Sequence, residues 1–176
     1  MAPLSRSVML RLVFRLGLLL LGGLLWVGCE GRGTPPDVPA GRFTAHVAGA
    51  VSDTLRGTAH VRRAGKTLTG LELGARDGPG LSIELEPQPP ALRTYEVVEP
   101  TLFRLERPDS RPGALAFLTL RHARFESTDG TIELTYVGDD QIGGTFSFRM
   151  KGTFIDGGGD DVSVEVTGVV NAPSGR

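Results

Sequence analysis

Three histidines, a glycine-spaced run of aspartates and a few strand-borne glutamates are the side chains here that could bind or cleave something. His46 and His60 flank Ser52-Asp53-Thr54. A hairpin with a three-residue loop at that point places Val51 opposite Leu55, Val47 opposite Ala59 and His46 opposite His60. Two cross-strand imidazoles joined by a third ligand would make a transition-metal site. Arg56 and Arg62 nearby oppose a cation, so the pair reads first as two solvated side chains. The segment from Ile155, IDGGGDD, offers Asp156, Asp160 and Asp161 as calcium ligands. Calcium takes six to eight oxygens and a closing bidentate carboxylate. Here three glycines separate the acids, no Glu closes the loop, and Gly138-Asp139-Asp140 lies at the other end of the same strand. Plain hairpin turns are the simpler reading, and neither metal nor cofactor is expected. For catalysis, no serine sits in a G-x-S-x-G elbow. Glu84, Glu96 and Glu133 offer carboxylates of the glycosidase kind, but alternation puts each on the wet face of a strand. No catalytic residue is expected, and the chain is not read as an enzyme.

The elements that would position these groups are strands. Ile132, Leu134 and Tyr136 alternate with Thr131, Glu133 and Thr135, and the same period of two runs through 81–86, 145–150 and 162–167. One dry and one wet face is the pattern of a half-buried strand, and a succession of them predicts antiparallel pairing. Asp77-Gly78-Pro79-Gly80, Asp129-Gly130, Gly138-Asp139-Asp140 and 156–161 supply turns between them. Strands are expected at 42–51, 54–63, 67–74, 81–86, 92–98, 101–106, 114–125, 131–137, 142–154 and 162–170. The last of them should form a meander. The fold class is all-β: an antiparallel β-sandwich of about nine or ten strands, with a partly closed β-barrel as second choice. Ala114 to Leu120, ALAFLTL, is apolar on both faces, as a covered or central strand would be. Gly143-Gly144 and Gly152 mark bends in a long strand. Most aromatics of the domain, among them Phe43, Tyr95, Phe117, Phe125, Phe146 and Phe148, fall with the apolar face and read as core, which counts against an aromatic platform for sugars.

The first residues have a different character. Met1 to Arg15 holds three arginines and no acid, and the run LGLLLLGGLLWVG from Leu16 to Gly28 is uncharged. A positive region, a short apolar run and a small residue define a secretory signal peptide, and thirteen residues fall short of a spanning helix. The chain has a single cysteine, Cys29, directly after this run. Leu25-Trp26-Val27-Gly28-Cys29 resembles the lipobox of bacterial lipoproteins, with Trp26 where Leu is usual. The resemblance implies cleavage after Gly28 and acylation of Cys29, for example with palmitate. Each buried methylene of such a lipid adds about 0.8 kcal/mol of membrane affinity. In lipoproteins of this kind an Asp after the cysteine often signals inner-membrane retention, so with Glu30 there the resemblance implies the outer membrane rather than the inner. Glu30 to Ala40, EGRGTPPDVPA, has three prolines and two glycines and reads as a linker, either an extended spacer or slack. The expected division is 1–28 signal peptide, 29–40 lipidated Cys and linker, 41–172 all-β domain and 173–176 tail.

From Cys29 onward the chain has 16 basic and 20 acidic residues, a formal charge of −4 against −1 for the whole. Such a domain has no electrostatic reason to bind nucleic acid. Gln141-Ile142-Gly143-Gly144-Thr145-Phe146-Ser147-Phe148, with Val166-Thr167-Gly168-Val169-Val170-Asn171, resembles the C-terminal strands of a group of uncharacterised bacterial β-sandwich lipoproteins. That resemblance implies a fold and no activity. The expected function is a lipid-anchored cell-envelope protein, a non-enzymatic binding or structural module whose partners are the membrane and an envelope protein. The alternative is a carrier of a small apolar ligand or lipid, and an extracellular hydrolase is least favoured. The interior discriminates: a packed core fits the module, and a continuous apolar cavity fits the carrier.

Overall fold

The residues that alternate in sequence over Gly80–Glu86 also alternate in burial: Leu81, Ile83 and Leu85 are buried, while Ser82, Glu84 and Glu86 are half-buried. Val164 and Val166, and Phe146, Phe148 and Met150, follow the same rule. The computed structural model describes residues 33–74, 78–98, 112–138, 141–155 and 161–173. Among them are nine strands and no helix: β1 (Arg42–Gly49), β2 (Asp53–Ala64), β3 (Thr67–Gly74), β4 (Gly80–Glu86), β5 (Thr94–Val97), β6 (Gly113–Leu120), β7 (Ala123–Val137), β8 (Gln141–Phe154) and β9 (Val162–Pro173). The hydrogen-bonded order is β1-β2-β3-β4-β6-β5-β7-β8-β9, and β9 returns to β1, so one sheet closes into a ring. Closure pairs the backbone rows that edge strands would leave exposed. Inward-facing side chains from all nine strands form one core cluster, with Tyr95, Phe148, Leu71, Ile83, Leu118 and Ile132 among its fully buried members. A ring of strands wrapped on one filled core fits the sandwich description and the partly closed barrel alike. The chain is all-β and antiparallel, apart from a two-residue parallel contact of β5 with β6 (Glu96 with Gly113, Val97 with Ala114).

Strand boundaries differ from expectation where the alternation changes phase. The sequence pattern gives one strand at 114–125 and another at 131–137, with a turn at Asp129-Gly130 between them. Instead the chain reverses at Arg121-His122, where Leu120 pairs with Ala123, and β7 runs unbroken through Asp129-Gly130. A bulge between Ser127 and Asp129 shifts the inward positions from odd (Ala123, Phe125, Ser127) to even (Ile132, Leu134). Gly130 there has φ +123°, a backbone state that L side chains rarely adopt. The strand expected at 101–106 lies outside the described residues. From β6 to β9 consecutive strands pair antiparallel, the expected meander.

Near that bulge the sheet forks. β6 and β7 pair directly over Phe117–Leu120 and Ala123–Glu126, and farther along β5 is inserted between them. Ala116 would be the next residue to pair, opposite Ser127. Its N–H instead donates to the buried Ser127 Oγ at 2.9 Å. A side-chain hydroxyl thus replaces the carbonyl that the opened ladder withdraws.

Residues 33–40 neither stand off the domain as a spacer nor hang from it as slack. Pro36 lies over Gly143, where a Cβ would come within 2.4 Å of the proline ring. The buried Asn171 donates through Nδ2 to the Val38 carbonyl at 2.7 Å and accepts from Gln141 Nε2. Gly41 N–H donates to the Asn171 carbonyl at 2.7 Å. The pair Gly143 and Asn171, read in sequence only as strand features, therefore straps the N-terminal segment to β8 and β9. Pro173, expected to open the tail, is the last residue of β9.

Candidate binding site

The core cluster is apolar, and apart from the buried Ser127 and Asn171 most polar side chains of the described residues lie on the outer wall. Register aligns them into rows. His60 pairs with Glu72, Glu72 with Ser82, Ser82 with Phe117, and Phe117 with Glu126, so these five residues cross β2, β3, β4, β6 and β7 side by side. One step along, Arg62, Gly70 and Glu84 form a second row. Gly70 carries no side chain, so the Arg62 guanidinium reaches over it to Glu84 Oε1 at 2.8 Å and to Ser82 Oγ at 3.4 Å.

The first row, from His60 to Phe117, floors a cleft of about 680 Å³. Its polar lining comes from His60, Glu72, Ser82 and Thr119, and its apolar platform from Phe117. Gly74, Gly78 and Gly80 border one end. Thr58 Oγ1, also at the border, donates to the Gly74 carbonyl at 2.9 Å. Leu73 and Leu81 border the cleft but are only 2% and 1% exposed, so it stops at the wall and does not open the core. A second, smaller cavity of about 290 Å³ lies beside it, lined by Arg62, Arg63, Glu84, Glu86 and Gln88.

Phe117 departs from its expected place. It lies outside the core cluster, half-buried on the outer face of β6. The doubly apolar strand is covered at Leu115, which is 1% exposed, and open at Phe117. The sequence marked the strand but not the side chain: which of its two apolar faces turns inward depends on pairing with β4.

The expected pairing of His46 with His60 is not formed. His46 faces Thr54, and its Nδ1 lies 3.2 Å from Thr54 Oγ1, while His60 faces Glu72 on β3. The β1–β2 pairing ends at Val47 and Asp53, so the loop is longer than three residues. Gly49 explains the difference. It has φ +121°, and β1 stays paired with β9 as far as Gly49 after leaving β2. Asp53 Oδ1 accepts from Thr54 N–H at 2.7 Å on the far side of the loop. Asp161 is described and exposed, while Asp156 and Asp160 lie outside the described residues, as do Gly28 and Cys29. Among the described residues no three His, Cys, Asp or Glu side chains converge as metal ligands. Of the strand-borne glutamates, Glu84 is held by Arg62, and Glu96 and Glu133 are exposed on the neighbouring strands β5 and β7.

No family model, curated protein or solved structure matches this chain. What the cleft can do therefore follows from its geometry. Ser82, Glu72 and His60 stand in that order on successive strands, about 4.8 Å apart. A nucleophilic relay needs the imidazole between the serine and the carboxylate. Here the carboxylate is in the middle, so His60 is two strands from Ser82 and out of reach as its base. The row offers binding groups in a fixed array.

Away from the cleft, Tyr95 is fully buried, and burial pushes its phenol above the ordinary tyrosine range. A backbone hydrogen bond from Ala91 and the charge of Arg93 pull the other way. Ala91 N–H donates to the phenol oxygen at 2.7 Å, and the hydroxyl lies 3.3 Å from the Ala91 carbonyl. This clamp anchors the segment leading into β5 and has a structural role.

Proposed function

We propose that this chain is a lipid-anchored cell-envelope protein, cleaved after Gly28 and acylated on Cys29, whose β domain binds a partner on its outer wall and catalyses no reaction. The observation that supports the binding-module reading is the interior: Tyr95, Phe148, Leu71 and Ile83 are fully buried members of one apolar cluster inside the ring, where a carrier would hold its cargo. The anchor rests on the arginine-flanked apolar run ending at Gly28-Cys29, and Glu30 favours the outer membrane. The His60–Glu72–Ser82 order supports binding over hydrolysis.

The test is a comparison of cargo. Protein extracted from membranes is delipidated with organic solvent, and the extract is assayed by mass spectrometry. The refolded chain is then titrated with a fluorescent fatty acid. A binding module yields only substoichiometric free lipid and no saturable fatty-acid site. One lipid per chain, or saturable uptake of the probe, would replace this reading with the carrier.

A further inference from the structure

We propose that the cleft over β2, β3, β4 and β6 is a saccharide site, taking a neutral oligosaccharide with one ring face on Phe117 and its hydroxyls on Glu72, His60 and Ser82. This rests on the binding-module reading and names the ligand class of that same cleft.

The chemistry of the lining narrows the class. Phe117 is an aromatic ring on an outward position, half-buried and beside polar residues in the same row. A pyranose ring has one face of C–H groups, which packs on an aromatic ring, and a rim of hydroxyls that both donate and accept. The row supplies both complements: a carboxylate accepts only, a neutral imidazole donates at one nitrogen and accepts at the other, and a serine hydroxyl does both. Among the described residues His60 and Glu72 have no side-chain hydrogen-bond or ion-pair partner, so their capacity is unused.

Other ligand classes fit worse. An anion would meet the Glu72 carboxylate. A metal cation would find one carboxylate, Glu72, in the lining, and no three ligating side chains converge among the described residues. A purely apolar ligand would cover Glu72 and His60 without satisfying them, and each stranded polar group opposes binding. A volume of about 680 Å³ lies within the ordinary range for small-ligand sites.

The experiment uses the full chain, purified in lauryldimethylamine oxide because that detergent has no sugar head group. It is titrated calorimetrically with short neutral oligosaccharides of the maltose, cellulose, chitin and mannan series. The expected result is saturable binding to at least one series. Phe117→Leu keeps the apolar bulk but removes the ring, and weakens binding by about tenfold or more; Glu72→Gln does the same. Thr167→Ala, at an exposed position on β9 outside the cleft, leaves affinity unchanged. Thermal unfolding of each variant checks the fold, and if Phe117→Leu does not fold, the exposed Glu72→Gln carries the test. Absence of saturable binding to every series, binding of charged ligands only, or binding indifferent to these substitutions overturns the proposal. Loss of this site with membrane association and an empty lipid extract intact would sink the ligand class alone. A lipid-filled interior would sink the module reading whatever the sugars do.

Discussion

Replacing Ser127 by alanine tests whether the fork between β6 and β7 is held as described. Ser127 is 2% exposed, and its Oγ is the acceptor for Ala116 N–H at 2.9 Å. In Ser127→Ala the methyl group fits the space, but the amide keeps its donor and loses its acceptor inside a low-dielectric wall. A buried donor left unpaired costs about 1–3 kcal/mol. Removing the buried hydroxyl returns part of its own desolvation cost, which offsets some of this loss. For a domain of this size 1 kcal/mol corresponds to a fall in Tm of roughly 3–5 °C, so a drop of about 3–15 °C is expected. Urea unfolding measures the free energy, and an unchanged slope shows that the unfolded state is the same. Amide hydrogen exchange at Ala116 should accelerate selectively. Ser127→Thr retains the hydroxyl and should recover part of the loss. A Ser127→Ala stability within about 0.5 kcal/mol of the parent, with Ala116 exchange unaltered, would refute the claim that this hydroxyl closes the ladder.

Three further outcomes follow from the packing and charges. Tyr95 carries a phenol with its pKa raised in the folded state, so the folded chain holds that proton more tightly than the unfolded chain. Its contribution is fully present below the ordinary tyrosine pKa of about 10 and is lost as pH rises past it, so stability should fall on the alkaline side. Tyr95→Phe should flatten that alkaline loss while costing about 0.5–1.5 kcal/mol at neutral pH, both read from denaturant titrations across pH. Phe148→Ala removes a ring that is 1% exposed and stacked on Phe146 at 5.5 Å, and should cost about 3–5 kcal/mol in chemical unfolding. Arg62→Ala breaks an ion pair whose side chains are 43% and 32% exposed, and should cost under about 1 kcal/mol and lose even that in high salt.

What could be read from the sequence depended on whether it was local. Alternation in β4, β8 and β9 needs only neighbouring residues, and there the inward faces agree with expectation. β7 reads as two strands in sequence because a bulge changes its phase near Ser127, and no local residue announces that the two halves are one. The reversal at Arg121-His122 lacks the glycine, proline or asparagine that usually marks a turn. The candidate site was least legible, because it is made by register. A short-loop hairpin would pair His60 with His46, but the positive φ of Gly49 goes with a longer loop, and His60 pairs with Glu72. Phe117 reads as core in sequence, since a strand apolar on both faces does not say which face is inside. The linker composition was legible, but not the Asn171 and Gly143 contacts that hold residues 33–40 against the ring.

The anchor at Cys29 can be tested directly by intact mass and fractionation of the protein expressed in a Gram-negative host. Expected is a mature chain beginning at Cys29, heavier than its sequence by the mass of acyl groups and recovered with membranes. Cys29→Ser should then leave the precursor uncleaved and free of that added mass. A wild-type chain of unmodified mass, or a Cys29→Ser chain processed and membrane-bound like the wild type, would contradict it.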